Sequence, residues 1–308
     1  MKKVAVGPTL SASYSFVFEN YLRILGVVWF PIALLFAMMF WQFVPAMANM
    51  PVPAPGADPA AMLSSLGQIF LFELVAFLLI PLLCCGITKL ALGRALRWPF
   101  FYVAIDGDYW RLLLSYFLVG LIFFGIVFFT SLLVGIVVGV VAVSMSGGHP
   151  DPGQLQQNMG ALRLVVAIPI YGVMIAILIR FGFLLAPIVI TERKLGIGRN
   201  WNLTRGNFWR IFVVVLGVLI PAIVLSAAQY VLLAALGGPS MNLAQSFGSP
   251  EAQMALSRNM MRLYATYWYV LVAAGLLFAP LFYGLFLGAA AFIYRDLASD
   301  QVPSDVFS

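Results

Sequence analysis

Residues 107–144 read GDYWRLLLSYFLVGLIFFGIVFFTSLLVGIVVGVVAVS, and no charged residue follows Arg111 in this stretch. A helix needs about 20 apolar residues to cross the hydrocarbon core of a bilayer, so the run 111–144 is long enough to do so. Five further apolar segments cover about 23–45, 67–92, 161–190, 209–236 and 261–294. The sequence therefore predicts an all-α integral membrane protein with six transmembrane helices.

The composition of the whole chain agrees with this fold class. Hydrophobic residues make up 63% of the 308 residues and charged residues only 9%, whereas a soluble domain is about half apolar and a quarter charged. The formal net charge of +6 could suggest nucleic acid. However, the basic residues lie at the ends of apolar runs, as membrane topology requires, so we expect no nucleic-acid partner.

The lysines and arginines are distributed very unevenly between the two sides of the predicted membrane. The breaks 46–65, 146–160 and 237–257 contain none of them. Because cytoplasmic loops carry the excess of Lys and Arg, the split of fourteen against three predicts that both termini are cytoplasmic. The fourteen are Lys2, Lys3, Arg23, Lys89, Arg94, Arg97, Arg111, Arg180, Arg193, Lys194, Arg199, Arg205, Arg210 and Arg295, and the three are Arg163, Arg258 and Arg262.

The starts of the first, third and fifth segments resemble one another. They read Glu19-Asn20-Tyr21-Leu22-Arg23-Ile24, Gly107-Asp108-Tyr109-Trp110-Arg111-Leu112 and Gly206-Asn207-Phe208-Trp209-Arg210-Ile211. Upstream, apolar and aromatic residues recur at the same distances from each arginine, namely Leu10 and Tyr14, Trp98 and Tyr102, and Ile197 and Trp201. These spacings return to one helical face. Each repeat is therefore predicted to begin with a short amphipathic helix in the cytoplasmic interface.

Each repeat also carries a good N-cap residue just before its span: Asn20, Asp108 or Asn207. The arginine then falls in the first turn of the new helix, where the helix dipole disfavours a cation. Lipid headgroup phosphates would hold such a cation. We therefore predict a headgroup site made of Arg23, Arg111, Arg210, Tyr14, Tyr102 and Trp201.

The returning segments match more loosely. Each places a proline a few residues before a glycine, in Pro81 to Gly86, Pro169 to Gly172 and Pro280 to Gly284. This Pro–Gly element could equally well have arisen by chance or belong to a repeat. With it, the chain is interpreted as a single membrane domain of three helical hairpins in a pseudo-threefold repeat, about 9–97, 98–195 and 196–297, with a cytoplasmic tail at 298–308.

One stretch carries a family resemblance. Arg180-Phe181-Gly182-Phe183-Leu184-Leu185-Ala186-Pro187, then Glu192 and Gly196, then Asn202-Leu203-Thr204-Arg205-Gly206-Asn207-Phe208-Trp209-Arg210 resembles the glycerophosphoryl diester phosphodiesterase membrane-domain family. The resemblance implies a bacterial, multi-pass inner-membrane domain of poorly known role. The soluble phosphodiesterase domain of the enzymes that named the family has no counterpart before Ser308, so we expect the membrane fold without the hydrolase.

Charged residues within the spans are the remaining candidates for a functional site. Glu73 lies inside the second segment, and Arg163 and Arg262 enter neighbouring segments from the same side. An intramembrane carboxylate is costly, so it is either one half of a structural ion pair or part of a transport or proton pathway. Arg180, Glu192 and Arg205 form a second candidate cluster, at the cytoplasmic face, beside Pro187, which should kink or end its helix.

The sequence offers few residues for catalysis. His149, the only histidine, lies in a Gly- and Pro-rich external turn, and Cys84 and Cys85 are adjacent within an apolar run. No phosphate-binding loop or metal-ligand spacing is present in the sequence. We therefore expect no enzyme activity, no cofactor and no metal.

Two small-xxx-small patterns indicate where helices approach closely. They are Gly135 to Gly139 and Gly284 to Gly288. Such patterns more often pack helices within one chain than join two chains, and we expect that role here.

These observations favour a non-enzymatic inner-membrane protein whose cytoplasmic arginines and aromatic residues engage anionic lipids. It would organise lipid or act as an accessory subunit, with membrane lipids and other membrane proteins as partners. The alternative is a transporter or channel for a small or amphipathic solute that uses Glu73 and the proline-kinked helices.

The orientation can be tested by cysteine labelling. In a chain lacking Cys84 and Cys85, a single cysteine at position 23 or 210 should react with a membrane-impermeant maleimide only after the cells are permeabilised. A cysteine in the segment 46–65 is the control and should react in intact cells. Labelling of positions 23 and 210 from opposite sides would rule out the shared face.

Overall fold

The computed structural model describes residues 2–45, 59–96, 100–145, 170–235 and 250–298. In these ranges the chain forms helices joined by turns, and none of it forms a strand. The helices are α1 (Val6–Met38), α2 (Pro59–Ala91), α3 (Gly107–Met145), α4 (170–177), α5 (Leu185–Glu192), α6 (Ile197–Thr204), α7 (Phe208–Ala235), α8 (Pro250–Thr266) and α9 (Trp268–Ala298). Two π-helices, Met39–Phe43 and Leu178–Gly182, continue α1 and α4.

Six helical stretches in the described residues are long and apolar enough to cross a membrane, which confirms the predicted number. Spans 1 to 6 are Val6–Gln42, Leu66–Ala91, Gly107–Val137, Ile170–Glu192, Phe208–Ala228 and Trp268–Ala298. The last span begins later than the predicted 261–294, because a bend at Tyr267 separates it from the more polar helix α8.

The termini define one face of the bundle. Lys2 Nζ lies 2.9 Å from Asp296 Oδ1, so the first residues of the chain and the end of α9 meet there. We call this the termini face, and the opposite end of the bundle the far face. The charge distribution predicts that the termini face is cytoplasmic.

The core lies where the second halves of spans 2, 4 and 6 contact one another. All residues of α2 from Pro81 to Thr88 and of α5 from Leu185 to Ile190 are buried, as is most of α9 from Gly284 to Ala291. Span 1 packs along α9. By contrast, α3 exposes most of its apolar side chains beyond Ser115, and this surface would face lipid.

Close packing of α1 on α9 depends on two glycines. A Cβ at Gly284 would lie 2.8 Å from Val17 Cγ2, and one at Gly288 would lie 2.9 Å from Phe16 Cδ1. The expected packing role within one chain is confirmed for this pair. A Cβ at Gly135 or Gly139 would meet no atom of the described residues within 4 Å.

Span 4 is interrupted near its middle. The π-helix Leu178–Gly182 is followed by a turn at residues 183–184, and α5 then ends before Arg193, which has a left-handed φ of 53°. Pro187 is the third residue of α5 and cannot donate a hydrogen bond to the carbonyl one turn earlier. The expected kink therefore lies just before this proline, and α5 continues through it.

Leucine at Gly284 or Gly288 should destabilise the protein, because the added side chain would push α1 away from α9. Overpacking of this kind costs about 1–3 kcal/mol, so the thermal unfolding midpoint in detergent, followed by tryptophan fluorescence, should fall. Gly135→Leu is the matched control and should unfold at the wild-type temperature. Equal midpoints for all three variants would contradict the packing.

Candidate functional site

The residue before each repeated arginine points outward from the bundle. Leu22 is 70% exposed, Trp110 57% and Trp209 72%. The arginines beside them are also accessible: Arg23 and Arg210 are exposed, and the Arg111 side chain is 42% exposed. We call these three residue pairs the rim.

The predicted N-caps are wrong in the first two repeats. Asn20 lies inside α1 at a kink (φ −113°, ψ 16°), and its Nδ2 donates to Phe16 O at 3.0 Å. In the second repeat, Asp106 caps α3, because its Oδ1 accepts hydrogen bonds from the backbone N–H groups of Asp108 and Tyr109 at 3.1 and 3.0 Å. The cap therefore lies two residues before the position that the sequence alignment indicated.

Asn207 does precede α7, but its side chain holds the N-terminus of the chain. Val4 N–H donates to Asn207 Oδ1 at 3.0 Å, and Asn207 Nδ2 donates to Lys2 O at 3.1 Å. Arg210 Nη1 donates to Val4 O at 2.9 Å. Asn207 is 3% exposed and Val4 fully buried, so these bonds anchor residues 2–4 against the start of span 5.

The three repeated arginines therefore have different surroundings. Arg210 binds the Val4 carbonyl, and Arg111 Nη1 lies 3.3 Å from Asp108 Oδ1. Arg23 makes no hydrogen bond or ion pair with the part of the chain that the structure describes. The protein itself thus holds two of the three cations, whereas the sequence pattern predicts lipid headgroups as the partners of all three.

A lysine at the end of span 2 joins it to the start of span 3. Lys89 Nζ lies 2.6 Å from Asp106 Oδ2 and 3.2 Å from Asp108 Oδ2, and its side chain is 13% exposed. Partial burial alone would raise the pKa of the Asp106 carboxyl. The hydrogen bonds from Lys89 and from two backbone N–H groups outweigh this effect and lower that pKa below its ordinary value.

The aromatic residues predicted to bind headgroups do not share one environment. Tyr14 donates its hydroxyl proton to Gly217 O at 2.9 Å. Tyr102 is 5% exposed and packs against Gly86, and burial raises the pKa of Tyr102 to about 12. Trp201 is 43% exposed. Both tyrosines thus pack against other spans, and Trp201 remains at the surface.

The predicted amphipathic helices differ in the same way. The stretch before Asn20 is helical within α1, and α6 occupies the corresponding place in the third repeat. In the second repeat, residues 100–106 form no helix. There the chain is held by Trp29, whose Nε1 donates to Phe100 O at 2.6 Å.

The predicted cluster of Arg180, Glu192 and Arg205 is divided in the structure. The Arg180 guanidinium lies over the rings of Trp201 and Phe208, at 5.0 and 5.3 Å from their centres. Glu192 Oε1 instead accepts hydrogen bonds from Arg199 Nε at 3.0 Å and Tyr294 Oη at 3.1 Å.

Arg205 is exposed at the surface. Arg199 and Tyr294 were not predicted to belong to this cluster. Only the proximity of Arg199 to Glu192 in sequence could have indicated the first of these contacts.

Glu73 lies on the exposed surface of α2. Arg262 belongs to α8, before span 6 begins, and forms no ion pair with Glu73 in the described part of the chain. Arg163 and His149 lie outside the described residues. Within the described ranges, Cys84 and Cys85 are buried free thiols, and no three His, Cys, Asp or Glu side chains are grouped to hold a metal ion.

Comparison of the chain with models of known protein families, with curated proteins and with solved structures finds no match.

The N-terminal anchor can be tested by hydrogen exchange. Replacing Asn207 with alanine removes one buried and one partly buried hydrogen bond to residues 2–4, each worth about 1 kcal/mol. The Val4 amide of the detergent-solubilised protein should then exchange about tenfold faster or more. Asn202→Ala, which changes an exposed asparagine of α6, is the control. Equal exchange in the two variants would contradict the anchor.

Proposed function

We propose that this chain is a non-enzymatic, lipid-associated protein of a bacterial inner membrane, with both termini in the cytoplasm. Its rim engages anionic headgroups of the adjacent leaflet, and the protein organises lipid there or serves as an accessory subunit. The main support for this proposal is that an exposed apolar or aromatic side chain lies beside an accessible guanidinium at the same place in each of the three sequence repeats.

Each part of the rim has the chemistry of a membrane interface. Tryptophan is enriched at headgroup level, because its ring is apolar and its N–H is polar. Trp110 and Trp209 are more than half exposed and adjoin Arg111 and Arg210. A cytoplasmic leaflet rich in anionic lipid attracts basic residues by about 1 kcal/mol each. Three arginines at that leaflet would therefore contribute about 3 kcal/mol to binding of anionic lipid.

The internal repeat gains support from two equivalent hydrogen bonds. Tyr21 donates its hydroxyl proton to Leu277 O, and Tyr109 donates to Leu78 O at 3.1 Å. Each acceptor lies three residues before a proline, Pro280 or Pro81. The tyrosines occupy the same place in the repeated motif, and these matching contacts in spans 2 and 6 support our interpretation that the Pro–Gly element belongs to the repeat.

The third repeat has phenylalanine where the other two have tyrosine. Phe208 cannot donate a hydrogen bond, and it packs instead against Arg180 of span 4. The residue at this position thus contacts span 2 from span 3, span 4 from span 5 and, closing the circle, span 6 from span 1. This cyclic order is what a pseudo-threefold arrangement of hairpins requires, and it would distribute the rim around the bundle.

The test compares two triple variants of equal charge. Replacing Arg23, Arg111 and Arg210 with glutamine should reduce the phosphatidylglycerol that co-purifies in mild detergent about tenfold or more. The control replaces Lys3, Lys194 and Arg205, which are exposed cations outside the rim, and should retain wild-type amounts. Lipid is quantified by mass spectrometry.

Equal loss of lipid in the two triple variants would show that only net charge matters. No loss in either variant would show that the rim does not bind lipid. Because Arg210 also binds Val4 O, thermal unfolding of each variant is measured alongside. Arg23→Gln alone disturbs no described contact and should lose a smaller, measurable part of the lipid.

A further inference from the structure

Two apolar cavities lie toward the far face, between spans 1, 5 and 6. Each has a volume of about 530 Å³, and both are lined by Phe36. One lies between span 1 and the start of span 6, beside Phe40 and Trp268. The other reaches span 5 at Leu225 and Ala228. Among the residues that the structure describes, no charged side chain lines either cavity.

Phe36 forms the wall that the two cavities share. Its ring lies so close to the Gly275 backbone that a Cβ at Gly275 would overlap it. A glycine is therefore required on α9 for the ring to sit between the cavities. Two apolar cavities of similar volume thus flank one ring, and we call the pair the forked space.

The fork opens toward lipid. Trp41 and Trp268 line the first cavity and are 84% and 51% exposed. An amphiphile in the surrounding leaflet can therefore enter sideways without crossing a polar barrier. A polar solute would have to leave water and pass these rings, and Ser226 and Tyr264 are the only side chains of the described lining with a hydroxyl group to offer it.

Helix α8 lies at the mouth of both cavities and carries cations. Its Ala265 lines the first cavity and its Tyr264 the second. Arg258, Arg262 and Ala265 are spaced i, i+4 and i+7, so they share one face of the helix. These two arginines are among the three cations that the charge distribution assigns to the far side of the membrane.

We propose that this forked space binds one phospholipid of the far leaflet, with its two acyl chains on either side of Phe36 and its phosphate at Arg258 and Arg262. The apolar lining suits acyl chains, and the position of Phe36 between the cavities suits two of them. The arginines of α8 favour an anionic headgroup. The site shares no residue with the rim.

The experiment uses the full chain in nanodiscs made from equal parts phosphatidylcholine and phosphatidylglycerol. Arg23, Arg111 and Arg210 are first replaced with glutamine, so that lipid at the rim does not contribute. The protein is then extracted into mild detergent, and the retained lipid is identified by native mass spectrometry. One tightly held phospholipid, enriched in phosphatidylglycerol, is expected.

The headgroup is tested with R258Q/R262Q and R258K/R262K. In the glutamine pair, the ratio of bound phosphatidylglycerol to bound phosphatidylcholine should fall roughly tenfold or more. The reason is that each cation near an anionic headgroup contributes a factor of about five to the affinity. The lysine pair keeps the charge and should keep most of the preference. Equal selectivity in the two pairs would overturn the assignment of the phosphate.

The acyl chains are tested by filling the cavity. Ala274 lines the second cavity, whereas its neighbour Ala273 is exposed and lines neither. Ala274→Phe should abolish retention of the lipid, and Ala273→Phe should not. Ala37→Phe fills the first cavity independently, and should also abolish retention, so the test survives if one variant fails to fold.

Retention of lipid by both cavity-filling variants at the wild-type level would overturn the proposal. Glycerol phosphate and inorganic phosphate, added at millimolar concentration, should not displace the lipid. Displacement by either would mean that the arginines bind free phosphate and that the chains contribute nothing. None of these outcomes depends on the rim, so this site and the rim can fail separately.

Discussion

The buried second halves of spans 2, 4 and 6 are the constraint on which the rest of the structure depends. A bilayer offers no hydrogen-bonding partners, so irregular backbone is tolerated at membrane depth only where protein covers it. The π-helix Leu178–Gly182 of span 4 contacts α3, α6 and α7, and the turn at residues 183–184 that follows it is buried. Gly284 and Gly288 let α1 approach α9 closely on another side of the bundle.

Polar contacts at the termini face act first as links between separated parts of the chain. Asn207 and Arg210 bind residues 2–4, and Lys89 joins the end of span 2 to the cap of span 3. A buried polar group that loses its partner costs about 1–3 kcal/mol, so such links are not free to exchange with solvent. As a result, arginines at the same place in the repeated motif differ in their partners, and Arg23 is the least engaged of the three.

The sequence predicted what depends on local composition and failed where distant residues decide. Six spans follow from the length of apolar runs, and the role of Gly284 and Gly288 follows from their spacing. The anchoring role of Asn207 depends on Val4 and Lys2, about two hundred residues away, and no local pattern indicates it. Aligning the repeats on Arg111 predicts Asp108 as the cap. The cap is instead Asp106, an equally suitable residue two positions earlier.

The far face poses a different physical problem. Arginines on the side opposite the basic loops act against the charge bias that orients the chain, and Arg258 and Arg262 lie together on one face of α8. Tyr264 and Ala265 of that helix line the forked cavity. An anionic headgroup above apolar chains would satisfy the guanidinium groups and fill the cavity with one molecule. A structural role for the arginines alone would leave the apolar space below them without an explanation.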